Sequence, residues 1–308
     1  MKTVIVSFAP MWILPSSRLR RAATYAGAVA ILTTAGCGGG ADGGGSNRVT
    51  VVATTGVLAE IADAVAGEDA EVVQLIPDGV DVHGFEASAQ DRATLEAAAV
   101  VVANGAGLEE GIPLDDVEAR RWSLADSAGD LRELDGRADP HVWLDPTRLA
   151  AAVPSLADAL AEADPGNARA YGRRAEDYVD RLEELDSELA DELSAIPGGR
   201  RSLVTSHDAL GYFADRYDLE VIATPFPSSG PEAEPSAARL AEVRDAIRES
   251  GVPAVFAQAS DDPEVLEVVA REPGVEVMAD LLVSSPGDAG GYEEMMRRNA
   301  MVIAAALG

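Results

Sequence analysis

Short apolar runs rich in valine and alanine recur along the chain and are separated by turn-forming residues, a pattern that predicts β-strands. In the first half the predicted strands are Val49–Ala53, Val72–Ile76, Val100–Ala103 and Trp122–Ala125. In the second half they are Ser202–Ser206, Val221–Thr224, Ala254–Ala257 and Val275–Met278. Helical patterns lie between these runs, and strands that alternate with helices form parallel sheets with right-handed crossovers. We therefore predict an α/β fold of two similar lobes, each with a roughly four-stranded parallel sheet flanked by helices.

Apolar residues spaced by threes and fours predict the helices that flank these sheets. The predicted helices are Val57–Ala66, Ala89–Ala98, Thr147–Ala163, Asp208–Tyr217, Pro235–Ser250, Asp262–Arg271 and Tyr292–Ala306. A longer pattern of the same kind runs from Asn167 to Ile196, between the two lobes, and Pro197-Gly198-Gly199 ends it. Its single apolar stripe consists of Tyr171, Ala175, Tyr178, Leu182, Leu185, Leu189, Leu193 and Ile196.

The stripe on this long helix allows two interpretations. At ~1.5 Å per residue, a helix of about 30 residues reaches roughly 45 Å, which is enough to brace both lobes. One strand of a coiled-coil dimer would also carry such a stripe, but this one lasts only about four heptads. We favour a strut within one chain, which gives an N-terminal lobe at 48–165, a linking backbone helix at 166–197 and a C-terminal lobe at 198–308.

The N-terminal segment has the pattern of an export signal. Residues 1–36 contain Lys2, Arg18, Arg20 and Arg21 and no acid, and a short apolar stretch follows from Ala22 to Ala35. The only cysteine, Cys37, comes after three small residues, which resembles the acylation site of a bacterial lipoprotein. The Gly-rich residues 37–47 would form a flexible tether. We expect a domain that is exported and lipid-anchored to the outer face of the cytoplasmic membrane; an ordinary cleaved signal with an incidental cysteine is the alternative.

The charge of the chain limits its partners. The full chain has 24 Lys and Arg against 53 Asp and Glu. Removal of residues 1–36 takes away four bases and leaves 20 against 53, a formal net charge of −33. Such a field repels nucleic acid and attracts cations. With one cysteine, an intramolecular disulfide is impossible.

Candidate chemistry centres on the histidines, of which the whole chain has three: His83, His141 and His207. Three imidazoles and one carboxylate are sufficient for a tetrahedral zinc-type site. Each histidine has an acid within two positions, but Asp and Glu are so frequent here that this decides little. The argument therefore depends on where the fold places the rings.

In parallel α/β sheets, ligands bind beyond the carboxyl ends of the strands. His83 follows the second predicted strand after a turn-rich loop, and His207 follows the fifth directly. Asp280 comes two residues after the last predicted strand, so that a carboxylate joins the same edge. His141 follows Asp139-Pro140, whose proline restricts the backbone just before the ring. Two ligands from each lobe would place a metal in the cleft between them.

Several stretches of the chain resemble the solute-binding lipoproteins that serve zinc and manganese ABC importers, and they occur in the same order as in that family. They are Asp81–Ser88, Asn104–Glu109, Asp139–Pro146, Thr205–Tyr217, Pro231–Arg239 and the segment from Ala279 through Asn299. The resemblance covers nearly all of the chain after the signal. It implies two α/β lobes joined by a rigid backbone helix with one metal between them, and it implies His83, His141, His207 and Asp280 as the ligands.

Two positions depart from the family pattern. Many zinc-specific members carry a His-rich loop before the second ligand, whereas residues 109–138 contain no histidine here. Gln258 stands where members often have Glu, and we interpret that position as structural.

The resemblance implies a binding protein and not an enzyme, acting as a monomer with an ABC permease and its ATPase and touching the membrane only through its lipid anchor. Three imidazoles and one carboxylate favour zinc, with manganese as the alternative. Because imidazoles bind metal only when neutral, we expect affinity to fall as pH drops through about 6.5. Two other functions stay open: a zinc hydrolase, although no HExxH or GxSxG motif is present, and a surface adhesin or scaffold with a structural zinc.

Overall fold

Four parallel strands form the sheet of the N-terminal lobe. They are β1 (Val49–Ala53), β2 (Ala70–Gln74), β3 (Val100–Ala103) and β4 (Arg120–Ser123), in the spatial order β2-β1-β3-β4. Val51 of β1 pairs with Val72 on one side and Val100 on the other. Both inner strands are rich in buried valine, as in parallel sheets that are covered on both faces. The computed structural model describes residues 48–134, 136–226, 235–259 and 263–308.

Helices α1 (Gly56–Ala66) and α2 (Ala89–Glu96) connect the first three strands. Thr55 caps α1 by accepting a hydrogen bond from the Leu58 amide, and Ser88 and Asp91 form a capping box on α2. A short helix, α3 (Leu124–Ser127), and a small antiparallel hairpin, β5 (Glu133–Leu134) and β6 (Arg137–Ala138), follow the sheet. The prediction of a strand at Trp122–Ala125 is wrong over its second half, because Ser123 caps α3 and Leu124 and Ala125 begin that helix. The hairpin is not predicted, because strands of two residues are too short to show a period.

Two long helices run through the middle of the chain, α4 (Pro146–Ala163) and α5 (Ala168–Ser194). Asp145 caps α4, and Pro146 occupies its first turn, where a missing amide proton costs nothing. The stripe predicted on α5 is buried, with Leu182, Leu185 and Leu193 fully covered. It packs against α1 and α4. Because the stripe is covered by its own chain, α5 is an internal strut and not a strand of a coiled coil.

The C-terminal lobe is built from two pairs of parallel strands. One pair is β7 (Ser202–Val204) and β8 (Glu220–Ala223), and the other is β9 (Ala254–Gln258) and β10 (Glu276–Leu281). A parallel bridge between Thr205 and Phe256 joins the pairs, and the Ser206 amide donates to the Phe256 carbonyl at 2.8 Å. The resulting order, β8-β7-β9-β10, corresponds to that of the first lobe and confirms the prediction of two similar α/β lobes.

Helices α6 (Gly211–Arg216), α7 (Ala237–Ser250), α8 (Glu264–Arg271) and α9 (Tyr292–Leu307) complete this lobe. Helix α9 returns to pack on the long helix α5. The described residues, from 48 to 308, form one compact unit. The predicted signal at 1–36, the tether at 37–47 and Cys37 lie outside the described residues, as do parts of the predicted motif at 231–239. Among the helices of the described ranges, none combines the length and apolarity that crossing a membrane requires.

Candidate metal centre

His83 lies in the loop that follows β2, and it is the least buried of the three histidines. Asp81 holds the local turn, because its Oδ1 accepts a hydrogen bond from the His83 amide at 3.1 Å. Farther back in the loop, Asp78 accepts hydrogen bonds from the side-chain amide of Gln74 at 2.8 Å and from the Ser285 hydroxyl at 2.7 Å. Ser285 follows β10, so this last bond ties the His83 loop to the C-terminal lobe.

His141 lies just before α4 and is almost fully buried. Asp139 Oδ1 lies 2.8 Å from His141 Nδ1 and also accepts a hydrogen bond from the His141 backbone amide at 3.0 Å. A carboxylate can only accept, so Nδ1 carries the ring proton and Nε2 presents its lone pair. A carboxylate behind an imidazole is the usual support for a metal-binding histidine. Asp139 therefore orients the His141 ring and makes its Nε2 atom a stronger metal ligand.

The segment around His141 is also fastened to the other lobe. Tyr212 on α6 donates from its hydroxyl to the Asp139 carbonyl at 3.0 Å. The Trp143 indole donates to the Val283 carbonyl at 2.8 Å, and the Tyr292 hydroxyl donates to the Trp143 carbonyl at 2.7 Å. His141 is thus held against the C-terminal lobe by three bonds, although its chain segment leads into helix α4.

A buried carboxylate supports the same segment from the N-terminal lobe. Glu109 accepts hydrogen bonds from the Thr54 hydroxyl at 2.9 Å, the Asn104 amide at 2.7 Å and the Gly105 amide at 3.0 Å. Burial raises the pKa of Glu109, and these bonds partly offset the rise. The Asn104 side chain in turn donates to the Pro140 carbonyl at 2.8 Å. In the sequence, Glu109 ends the Asn104–Glu109 stretch, to which no role is assigned. An acid in a Gly-rich loop directly after a buried strand is the feature that could have pointed to a buried, hydrogen-bonded carboxylate.

His207 follows β7 and is buried. The Thr205 hydroxyl donates to the His207 carbonyl at 2.9 Å, which fixes the turn at the strand end. The side-chain amide of Gln258, at the end of the neighbouring strand β9, contacts His207 Nδ1. The same amide nitrogen lies 3.4 Å from His207 Nε2, so Gln258, which the sequence suggests is structural, packs beside a candidate ligand.

The three imidazoles converge on one point between the lobes. One ring nitrogen from each of His83, His141 and His207 lies within 4.8 Å of the others. The Nε2 atoms of His141 and His207 are 3.4 Å apart. Two nitrogens bound tetrahedrally to zinc at 2.0–2.1 Å are about 3.3 Å apart. The donors and their spacing therefore fit a zinc ion without rearrangement of this pair.

Asp280, the fourth ligand predicted from the sequence, does not belong to this cluster. Strand β10 continues to Leu281, so Asp280 occupies a position inside the strand and not the loop beyond it. The pairing of β10 with β9 shifts register between Met278 and Leu281, and within this irregularity Asp280 is exposed while Leu281 is buried. Ligation by Asp280 stays a prediction.

The electrostatics of the centre keep two of the rings uncharged. The pKa of His83 is lowered from 6.5 to about 4, mainly by burial and then by the charge of a protonated His141, while Asp81 and Asp139 oppose the shift. Burial, followed by the charges of His141 and His83, lowers the pKa of His207 well below its usual value. Both rings are therefore neutral, and able to bind a metal, at pH values where an exposed histidine is largely protonated.

A two-lobed α/β protein with a buried three-histidine cluster in its cleft defines a class of metal-binding proteins, and known proteins of this kind match the chain. The family described as zinc-uptake complex component A, periplasmic, matches residues 51–306. The manganese-binding lipoprotein MntA of Halalkalibacterium halodurans is 29% identical over 282 residues, covering 88% of this chain and 93% of that protein. The zinc-binding protein TroA of Treponema pallidum is 30% identical over 285 residues, covering 87% and 92%.

The solved structure of the periplasmic zinc-binding protein TroA from Treponema pallidum superimposes on this fold with a TM-score of 0.80 at 28% identity. The superposition covers 85% of this chain and 99% of that one. Because the family match spans most of the chain, the protein belongs to the zinc-uptake complex component A family.

Proposed function

We propose that this protein is an extracytoplasmic receptor that captures zinc in the cleft between its lobes and delivers it to an ABC permease. The convergence of His83, His141 and His207 within 4.8 Å carries the proposal. Three imidazole nitrogens form a borderline-soft set that suits zinc better than the harder manganese ion, which prefers oxygen ligands. The relatives named as zinc- and manganese-binding proteins support a metal receptor, with manganese delivery as the second candidate.

Capture begins with the two most rigid ligands. His141 and His207 already face each other through their Nε2 atoms at 3.4 Å. Hydrogen bonds from both lobes fix the segment that carries His141. The bond described between the His83 loop and the opposite lobe is the exposed Asp78–Ser285 contact, whereas three bonds hold the His141 segment there, so the His83 loop is the ligand segment that moves with least cost. We infer that zinc first meets the His141–His207 pair, that His83 completes the site, and that release reverses this order.

The remaining partners follow from the same proposal. The permease and its ATPase receive the metal, the protein acts as a monomer, and Cys37 carries a lipid anchor on the outer face of the cytoplasmic membrane. Relatives that are named lipoproteins support the anchor. The strongly acidic composition supports a cation as the cargo and argues against nucleic acid as a partner.

To test this function, metal-free protein is mixed with equimolar zinc and manganese, and the mass of the resulting complex is measured by native mass spectrometry. We expect one zinc ion per chain. If the protein binds manganese instead, manganese and not zinc is the transported ion. If it binds neither ion, the proposed function is wrong.

The same sample distinguishes a receptor from a protein with a structural zinc. Each lobe has its own covered sheet, so metal-free protein should keep its circular dichroism spectrum and a cooperative unfolding transition. Unfolding on metal removal would assign zinc a structural role instead.

A further inference from the structure

Arg132 and Asp139 lie at the open end of the hairpin formed by β5 and β6. Their backbones are joined, because the Asp139 amide donates to the Arg132 carbonyl at 2.9 Å. Tyr212 on α6 contacts both residues, since its hydroxyl accepts from the Arg132 amide at 2.9 Å and donates to the Asp139 carbonyl at 3.0 Å. The backbone at this point is thus fastened to the C-terminal lobe without any help from the Arg132 side chain.

The guanidinium group of Arg132 connects Asp139 to α6 a second time. Its Nη1 donates to the Gly211 carbonyl at 2.6 Å and pairs with the Asp215 carboxylate, both on α6. Its Nε lies 3.5 Å from Asp139 Oδ2. Asp139 Oδ1 is bonded to His141, and within the described residues neither Arg132 Nε nor Asp139 Oδ2 makes a hydrogen bond. The ion pair with Arg132 is therefore the contact that holds the outer oxygen of this buried carboxylate.

Helix α6 is a fixed support for this contact. It begins at Gly211, four positions after His207. At its other end, Arg216 donates from Nε to the buried Asp186 carboxylate of α5 at 2.8 Å, and the Tyr217 hydroxyl donates to the same carboxylate at 3.1 Å. One end of α6 is thus anchored on the long central helix, and the other end follows a candidate ligand closely.

The close approach of Arg132 to α6 requires glycine at position 211. A Cβ atom built on Gly211 would lie 2.8 Å from Arg132 Cζ and 2.9 Å from its Nε, whereas non-bonded carbon atoms in contact lie about 3.5–4.0 Å apart. The φ angle of Gly211 is not in the left-handed region, and alanine is the better helix former. Alanine at this position would therefore suit the backbone of α6 but displace the guanidinium group.

We infer that Arg132 is a positioning residue, which fixes the Asp139 carboxylate against α6 and thereby sets the separation of His141 from His207. The Nε2 atoms of these two rings are 3.4 Å apart, close to the spacing around a tetrahedral zinc ion. Without Arg132 the outer oxygen of Asp139 is free, the carboxylate rotates, and the His141 ring turns away from this spacing. The effect on metal affinity rests on the proposed function, whereas the position of Asp139 does not.

Two substitutions remove the contact from opposite sides. Arg132→Ala deletes the guanidinium group and keeps the backbone bonds, and Gly211→Ala displaces the group. Each should weaken zinc binding about tenfold in a chelator competition, the lower end of the loss expected for residues that support metal ligands. Each should also alter the visible absorption spectrum of cobalt(II)-loaded protein, which reports the ligand geometry. Arg248→Ala removes an exposed ion pair with Asp245 on α7 and should change neither readout.

The double variant distinguishes positioning by Arg132 from a general disturbance of α6. In the Arg132→Ala background, alanine at position 211 meets no guanidinium group, so the second substitution should cause no further loss of zinc affinity. Melting curves show which variants fold, and Gly211→Ala keeps the test decisive if Arg132→Ala does not. Unchanged zinc affinity in the folded single variants, or losses that add in the double variant, would overturn the inference.

A measurement without metal separates this inference from the proposed function. The His141 backbone amide donates to Asp139 Oδ1 at 3.0 Å, so its ¹H–¹⁵N resonance reports the position of the carboxylate. In metal-free protein, Arg132→Ala and Gly211→Ala should both shift this resonance, whereas Arg248→Ala should not. An unshifted resonance in both variants would also overturn the inference. If the wild type binds no zinc, the proposed function fails, while the amide resonance still decides whether Arg132 positions Asp139.

Discussion

The pH dependence of zinc binding follows from the burial of two ligands. An imidazole with the ordinary pKa of about 6.5 is only about one-tenth neutral at about pH 5.5, so each such ligand weakens binding about tenfold. Two of them together would cost about 100-fold. The pKa of His83 is lowered to about 4 and that of His207 lies well below 6.5, because burial disfavours their charged forms. At about pH 5.5 the His83 ring stays neutral, so its tenfold share of this loss should be absent, and the lowered pKa of His207 reduces the share of that ring as well.

The lowered pKa of His83 sets the pH at which protons compete with zinc for this ring. A pKa that is lower in the metal-free folded protein means that protons compete with zinc only at lower pH, so the decline expected near pH 6.5 from the sequence moves toward pH 4 for His83. The groups that face His83 and shift its pKa are His141, which lowers it, and Asp81 and Asp139, which raise it. Asp81→Asn should therefore lower the pKa of His83 further.

Two assays measure this effect. Competition with a chelator of known proton affinity gives the zinc affinity at about pH 7.5 and 5.5, and NMR of the metal-free protein follows each imidazole separately. The His83 resonances should not titrate above about pH 5.5, and the His207 resonances should titrate well below pH 6.5. Resonances of both rings that titrate near pH 6.5, with the corresponding 100-fold loss of affinity, would refute the argument from burial.

Three substitutions test the remaining contacts. Asp139→Asn removes the carboxylate behind His141 and should weaken zinc binding about 10- to 100-fold in a chelator competition, while Gln90→Ala on an exposed face should not. Ser285→Ala breaks the bond to Asp78 and should speed zinc release, measured by stopped-flow chelation, with little change in melting temperature; an unchanged release rate would show that this bond does not hold the His83 loop. If Asp280 is the fourth ligand, as the sequence predicts, Asp280→Asn should weaken zinc binding about tenfold or more, whereas unchanged affinity would show that the three imidazoles hold the ion without this exposed carboxylate.

Local patterns made much of the fold predictable. The valine-rich runs at β1 and β3 agree with the structure residue for residue, because a strand covered on both faces has to be apolar throughout. The stripe on α5 was equally clear, since seven apolar positions of this helix repeat at helical spacing, and only Ile196 lies beyond its end. The end of β10 was not predictable, because Ala279 and Asp280 look like the start of a loop, and only pairing with β9 extends the strand to Leu281.

The candidate ligands stood out because the chain has so few histidines, but their supports did not. Gln258 lies 51 positions from His207, and Glu109 lies 55 positions from Thr54. Such contacts depend on which strand ends are neighbours in the fold, and the spacing of residues along the chain does not reveal which ends those are. The shifts in the pKa of His83 and His207 have the same origin, because burial is a property of the assembled cleft.

The central claim is that three imidazoles hold one zinc ion. The most direct measurement is the zinc affinity of the wild type and of His83→Ala, His141→Ala and His207→Ala, each by competition with a chelator at neutral pH, with melting curves to show that the variants fold. The account predicts one tight site in the wild type and a loss of at least about 100-fold in each folded variant. Wild-type affinity in any one of the three would contradict it.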